Sequence, residues 1–410
     1  MSKSGVIVGV IYSADSQESH ESERLACYLG AHLAATGFCE KIHLVGITPP
    51  HLPLLDVSQM AKRRISYVPC DKGVGGKSLV APAANIEFSY WDCLEHCHML
   101  IVTVNPSDTK SLGTKLRDLL VIKNKIVVFS MQRGEITSST LRDSIGAKGT
   151  AIIDCVVGFA VVPHPKTGDL VATTPTPSIG VQRLSKEIES VAIGPVNLLE
   201  RTKISCQYRR ALSPISFAML VYETLYALNA LTEGSLADTL RSRNHRLIYA
   251  AMIRESRKVL SVAAAKGGWS PDFSLVNSYV NIPILEFTLV LPNFLFYIIW
   301  YLLGFQLAGI PSPTLVDVND GRKPVLAHSI NELLALGSRR SIDMPICTAV
   351  MDKVKLLEKN RSTNKIFLKE VEAAVLSRPH DSVNELLYWL FRAVSVALLV
   401  VFIYWLFFHD

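Results

Sequence analysis

The chain has no dense basic stripe. Its formal net charge is +6 over 410 residues, too weak and too dispersed for a nucleic-acid surface, and it fits no more than mild attraction to an anionic membrane. A leader is not expected either. MSKSGVIVGVIYS has no basic region ahead of an apolar stretch and no Arg-rich amphipathic run, so no cleaved signal or transit peptide is expected. The eight cysteines, Cys27, Cys39, Cys70, Cys93, Cys97, Cys155, Cys206 and Cys347, follow no regular framework, which suits a reducing compartment. Cys93, Cys97 and His98 beside His96 crowd together, but zinc needs a second ligand pair at suitable spacing and none is visible. Packing is expected there, and no metal. A P-loop is lacking too. CDKGVGGKSL carries Gly-Lys-Ser, yet Asp71 stands where the first loop glycine belongs, and Pro82 in the following LVAPAANI opposes the required helix. A surface loop is expected.

Charge is absent from Ala393 to Phe408. The longer run Leu386–Phe408, LLYWLFRAVSVALLVVFIYWLFF, has Tyr388, Trp389, Tyr404 and Trp405 near its ends, where interfacial rings sit. A helix of that length crosses roughly 30 Å of hydrocarbon at about 1.5 Å per residue. Arg392 lies near one end, within snorkelling reach of the headgroups. A transmembrane anchor over 386–408 is therefore expected, with a buried core helix as the competing reading. The bulk of the chain would face the cytosol from an organelle membrane, either mitochondrial outer membrane or endoplasmic reticulum. Membrane lipid and protein partners in a membrane complex are the expected contacts. A second apolar stretch, 282–310, has Glu286 as its one charge. It reads as a buried helix, as a helix lying in the membrane interface, or as a second span, and Pro292 and Asn293 mark a turn into it.

Hydrophobic residues make up 49% and charged residues 19%, so most of the chain is expected to fold, as two or three domains. The first part alternates strand and helix. Apolar runs at Gly5–Tyr12, Lys41–Ile47, Leu100–Val104 and Lys125–Ser130 read as buried strands, and Ser19–Thr36 and Lys110–Leu120 as helices. Ile152–Val162 and Leu170–Thr174 read as a β pair about the turn Pro163–Gly168. This order implies a parallel, doubly wound α/β sheet of Rossmann type. A linker is expected at Ala192–Pro195, separating a domain at 1–192 from a helical one at 193–380. Helices are expected over Leu198–Leu231, Ser235–Lys266, Leu315–Leu336 and Pro345–Glu358.

Three stretches within this order resemble the ketopantoate reductase family. SPTLVDVNDGRKPVLAHSIN, Ser312–Asn331, is similar to the family's helical-domain motif, with Asp317, Val318, Gly321 and Arg322 in register. MLIVTVNPSDTKSL with KIVVFSMQRGE resembles its fourth and fifth strands, and SPISFAML a turn of one helix. The resemblance implies an NADPH-binding Rossmann domain, a helical domain, and reduction of a 2-oxo acid by hydride transfer.

The polar residues that such chemistry needs are largely replaced. Gly-x-Gly-x-x-Gly lets the backbone approach a pyrophosphate at a helix N-terminus. Here the first strand keeps Gly9 and then runs into ADSQESHESERLA, with Asp15, Glu18, Glu21 and Glu23 where an anion would sit. By the resemblance, Thr48 stands for the NADP-selecting arginine, Asn105 for a lysine, and Arg133 for an asparagine. The catalytic lysine falls at Ser205, with Lys203 nearby, and the helix asparagines at Arg209 and Ser213. An acidic residue falls at Val325, its preceding threonine at Pro324, its following aspartate at Ala327, and Ser312 remains. The expectation is a membrane-anchored, non-catalytic scaffold without cofactor, acting as a structural or interaction subunit. The alternative is a tethered NADP-dependent reductase using Gly9, Asn105 and Arg133 for the coenzyme and Lys203, Arg209 and Ser312 for catalysis.

Overall fold

The computed structural model describes residues 5–14, 18–48, 64–69, 77–82, 84–122, 126–132, 134–146, 151–174, 176–183, 186–232, 234–267, 269–272, 274, 282–302, 309–324, 326–359 and 373. The apolar segment 386–408 lies outside them. No helix among the described residues is long and apolar enough to cross a membrane.

An eight-stranded sheet forms the first half. Its strands are β1 (Val6–Ser13), β2 (Cys39–Ile47), β5 (Ile86–Ser89), β6 (Met99–Val102), β7 (Val127–Ser130), β8 (Ala151–Val157), β11 (Ser178–Gln182) and β12 (Ser205–Arg209). They lie in the order β12-β11-β8-β7-β6-β1-β2-β5. From β5 to β8 all pairs are parallel, and β11 turns antiparallel against β8. That is the doubly wound order, with its reversal between β1 and β6. Val8, Val10 and Tyr12 of β1 pack into the core under helix α1 (Glu21–Ala35), while Ile11 packs into the opposite core, under α2 (Thr109–Ile122) and α3 (Glu135–Ile145). A strand buried on both faces explains why its sequence is a continuous apolar run. A second sheet of four strands, β4 (Leu79–Val80), β3 (Ser66–Tyr67), β10 (Leu170–Ala172) and β9 (Val161–Pro163), follows that order. It covers the other side of α1, which is buried from Glu21 to Ala34.

Helix α4 (Lys186–Glu200) connects β11 to β12 and packs on the sheet through Ala192, Leu198 and Leu199, and the helical half that follows comprises α5 (Ser213–Ala230), α6 (Leu236–Arg241), α7 (Arg243–Gly267), α8 (Ile282–Val290), α9 (Asn293–Leu302), α10 (Pro313–Asn319), α11 (Leu326–Arg339) and α12 (Pro345–Lys359). The central helix α5 packs against α7, α10, α11 and α12. Arg246 on α7 is fully buried. Its guanidinium donates to the carbonyls of Leu240, Arg241, Leu289 and Leu291 and, at 2.8 Å, to Asn293 Oδ1, and it stacks 4.1 Å from the Phe296 ring centroid. One cation thereby satisfies the orphan carbonyls at the ends of α6 and α8.

Several expectations need correction. Ala192–Pro195 is no linker but the interior of α4. Residues 191, 193 and 194 are exposed, so the carbonyl that Pro195 leaves unbonded lies on the solvent side of the helix. The helix expected over Leu198–Leu231 is interrupted by β12, which adds to the sheet edge. Ser235–Lys266 breaks at Ser242, and Leu315–Leu336 at residues 320–324. Ile152–Val162 divides between two sheets, because only β9 pairs with β10. The stretch 282–310 contains two short helices parted at Leu291 and Pro292. In the stretch expected as a surface loop, Leu79 and Val80 form the exposed strand β4; residues 70–76 lie outside the described residues.

Candidate functional site

The reversal between β1 and β6 is where an open α/β sheet presents its ligand crevice, at the carboxyl ends of the strands. Four segments of this chain meet there. Ser13, the last residue of β1, donates its amide N–H to Ser22 Oγ at 2.9 Å and its hydroxyl to Asp108. Asn105, just after β6, donates its amide N–H to Ser13 Oγ at 2.9 Å and its side-chain Nδ2 to the Ser19 carbonyl at 3.3 Å. Thr103 donates to the Ile11 and Ser22 carbonyls, and Gln132, after β7, donates to Thr109 Oγ1 at 2.7 Å. The strand ends and the start of α1 are thus laced together by short side chains.

The helical domain closes over this lacing. Arg24, in the second turn of α1, donates from Nη2 to Asp317 Oδ1 on α10 at 2.8 Å, and the Ser19 hydroxyl donates to the other oxygen of the same carboxylate. The Arg24 and Asp317 side chains are 8% and 1% exposed. Glu18 pairs with Lys323 at 3.6 Å, and the two residues form a backbone bridge. Gly134, after β7, has φ +84, and a Cβ there would lie 2.5 Å from Glu332 Oε2 on α11. The Glu332 carboxylate is the movable tip of a side chain, so it is the positive φ rather than this approach that calls for glycine at 134.

The positive end of α1 is met by carboxylates. His20 precedes the helix without a side-chain cap, and Glu21 and Glu23 fill the first turn, both buried. His20 Nδ1 lies 3.0 Å from Glu23 Oε2. Negative side chains at this end complete the helix dipole internally.

The candidate residues do not converge on one point. Gly9 sits inside β1, four residues before its end, facing Leu94, Cys97 and Leu100; a Cβ would come within 2.6 Å of Leu94 Cδ2. It is a packing glycine, well short of the α1 N-terminus. Asn105 does lie at the crevice, buried within the lacing. Arg133 falls outside the described residues. Lys203 occupies a turn with φ 64 ahead of β12, so the helical-face comparison with Ser205 does not apply. Arg209 ends β12, and four strand-to-strand steps separate β12 from β6, roughly 19 Å. Its guanidinium holds Gln207 Oε1 at 2.8 Å and Ser274 Oγ at 3.1 Å, and lies 3.4 Å from Asp272. Ser312 is fully buried and caps α10: its Oγ accepts from the Leu315 N–H at 3.1 Å, and its own N–H donates to Asn229 Oδ1 at 2.8 Å. Arg24 and Ser19 carry no distinguishing sequence signal within the polar run ADSQESHESERLA, whereas Asp317 stands in register with the helical-domain motif.

The cysteine–histidine crowd is structural. His98 Nδ1 accepts the Ile7 N–H at 3.1 Å, and Cys97 lies against the Cys93 carbonyl. Burial pushes the Cys93 thiol up to about 11 and Cys97 to about 12, so both stay protonated at neutral pH. Among the described residues no group of three or more His, Cys, Asp or Glu side chains is placed to hold a metal.

The architecture is that of the ketopantoate reductases and related dehydrogenases. A ketopantoate reductase from Ralstonia eutropha superposes with a TM-score of 0.57 at 15% identity, covering 87% of this chain and 100% of its own. A D-mandelate dehydrogenase in complex with NADH and anilino(oxo)acetate superposes with a TM-score of 0.60 at 14% identity, over 86% and 100%. The 2-dehydropantoate 2-reductase from Geobacter metallireducens gives 0.54 at 17%, over 85% and 99%. At such identities the likeness establishes a shared fold. No protein-family model matches the sequence, and no curated protein matches it.

Proposed function

We propose that this chain is a membrane-anchored, non-catalytic protein that uses the ketopantoate-reductase-like fold as an interaction scaffold. One observation carries the reading: where the fold would cradle a dinucleotide pyrophosphate, Arg24, Ser19 and Asp317 are bound to one another, with Glu21 and Glu23 on the helix end. These residues do not fit a pyrophosphate. The turn from β1 into α1 carries none of the glycines that let a pyrophosphate approach, and carboxylates stand where it needs a positive field. The dispersal of Lys203, Arg209 and Ser312 supports the same conclusion, because general-acid catalysis requires a donor within hydrogen-bond reach of the reacting oxygen. Residues 386–408 supply the anchor in this reading, with the folded part on the cytosolic side of an organelle membrane and protein partners in a membrane assembly. The competing reading is a tethered NADP-dependent reductase of a 2-oxo acid, favoured by the NADH complex of one structural neighbour. Turnover decides between them. The scaffold shows no NADPH oxidation dependent on ketopantoate or related 2-oxo acids. An enzyme shows it, and loses about 10²- to 10³-fold on Lys203→Ala or Arg209→Ala if that residue donates to the keto oxygen.

A further inference from the structure

Helix α9 is largely apolar, yet among the described residues only one side of it is packed. Leu295 and Phe296 are buried and Ile299 and Trp300 pack against the helical core. On the other side, Phe294, Tyr297 and Ile298 are 64%, 46% and 40% exposed. Their i, i+3, i+4 spacing places them on one face. Three large apolar side chains together on one turn differ from scattered surface hydrophobics, and a contiguous patch marks a contact surface. The helix is fixed rigidly, because Arg246 binds Asn293 at its first turn and stacks on Phe296.

The surroundings are cationic. Arg254 and Arg257 of α7 share the single carboxylate of Glu286 on α8, leaving one positive charge in excess, and both guanidinium side chains remain substantially exposed. Arg243 and Lys258 are exposed on α7, and Arg241 on α6 is exposed but paired with Asp238 at 2.7 Å. No charged residue occurs between Glu286 and Asp317. Residues 360–385 connect the last helix of the domain to the apolar run 386–408, and extended they span at most roughly 90 Å. A domain on such a tether stays close to whatever surface holds that run.

We propose that the Phe294–Tyr297–Ile298 face of α9 seats the helical domain on an anionic lipid bilayer, lying in the headgroup–acyl boundary while the neighbouring arginines meet lipid phosphates. This rests on the membrane-anchored reading and adds an orientation to it. A helix in the interface needs one apolar face and flanking cations rather than the length of a span, which fits both the dimensions of α9 and its surroundings.

The test places an environment-sensitive fluorescent amino acid at position 298 in the full-length chain, reconstituted in phosphatidylcholine vesicles with and without phosphatidylserine. Brominated lipids serve as quenchers. A second chain carries the probe at Val121, an exposed position on α2. The probe at 298 is expected to be quenched, more strongly with phosphatidylserine, and the probe at 121 is not. Phe294→Ser with Tyr297→Ser is expected to reduce the docked population on the order of tenfold per side chain withdrawn from lipid. Absence of quenching at 298 in a chain that resists alkaline carbonate extraction overturns the proposal and leaves the anchor standing. Quenching at 298 in a chain that carbonate releases supports the docking face and refutes the anchor. Shielding at 298 that rises with protein concentration in the absence of lipid assigns the face to a second copy and also overturns the proposal.

Discussion

Breaking the Arg24–Asp317 pair is expected to destabilise the protein strongly, and breaking both partners together much less. The pair joins α1 of the sheet domain to α10 of the helical domain, with Asp317 only 1% exposed and a second bond from Ser19. Removing one partner leaves an uncompensated buried charge, at a cost of about 3–5 kcal/mol. Arg24→Met leaves the Asp317 carboxylate with the Ser19 hydroxyl as donor, and Asp317→Leu removes the carboxylate that the Arg24 guanidinium binds. Each single change falls in that range. The double variant places two apolar side chains of similar volume in the same space, which is often near neutral. With single costs of about 3–5 kcal/mol each and a near-neutral double, a double-mutant cycle by denaturant unfolding should show a coupling energy of about 6 kcal/mol or more, above the range of about 0.5–3 kcal/mol usual for contacting residues. Additivity to within about 0.5 kcal/mol, the behaviour of distant independent sites, would refute a direct buried pair.

Other consequences follow from particular residues. Gly9→Ala is expected to cost about 1–3 kcal/mol through overpacking against Leu94 and Leu100; thermal melting checks it, and an unchanged melting temperature would mean that the site accommodates a Cβ. Burial holds His43 below its ordinary value of 6.5, against the opposing pull of Glu87. Its neutral form is favoured in the folded state, so the unfolded chain binds more protons and stability declines as pH falls below about 6.5. Proton NMR of the ring should show the depressed titration, and His43→Gln should flatten that limb of the stability curve.

The sheet domain was largely legible in the sequence because strands buried on both faces leave uninterrupted apolar runs, as at Val6–Ser13 and Met99–Val102. Edge and connecting elements were harder to read. Strand β12, SCQYR, is short and half exposed, and its place is set by pairing with β11 rather than by its own pattern. Pro195 suggested a break, yet the exposed side of α4 tolerates it. At the site, the loss of the phosphate-loop glycines was visible directly. What took their place was not, since the residues of the Arg24–Asp317 pair are 293 positions apart, and only the closure of α10 over α1 brings them together. Gly9 looked like a remnant of that loop, but its position inside β1 shows that it answers to Leu94 and Leu100.

Direct titration of the full-length chain with NADPH, and separately with NADH, by calorimetry is the decisive measurement. With Arg24, Ser19 and Asp317 bound to one another and Glu21 and Glu23 at the end of α1, no saturable binding is expected at micromolar protein. Saturable micromolar affinity for either coenzyme would show that the crevice opens to accept a pyrophosphate, and would raise the reductase reading above the scaffold.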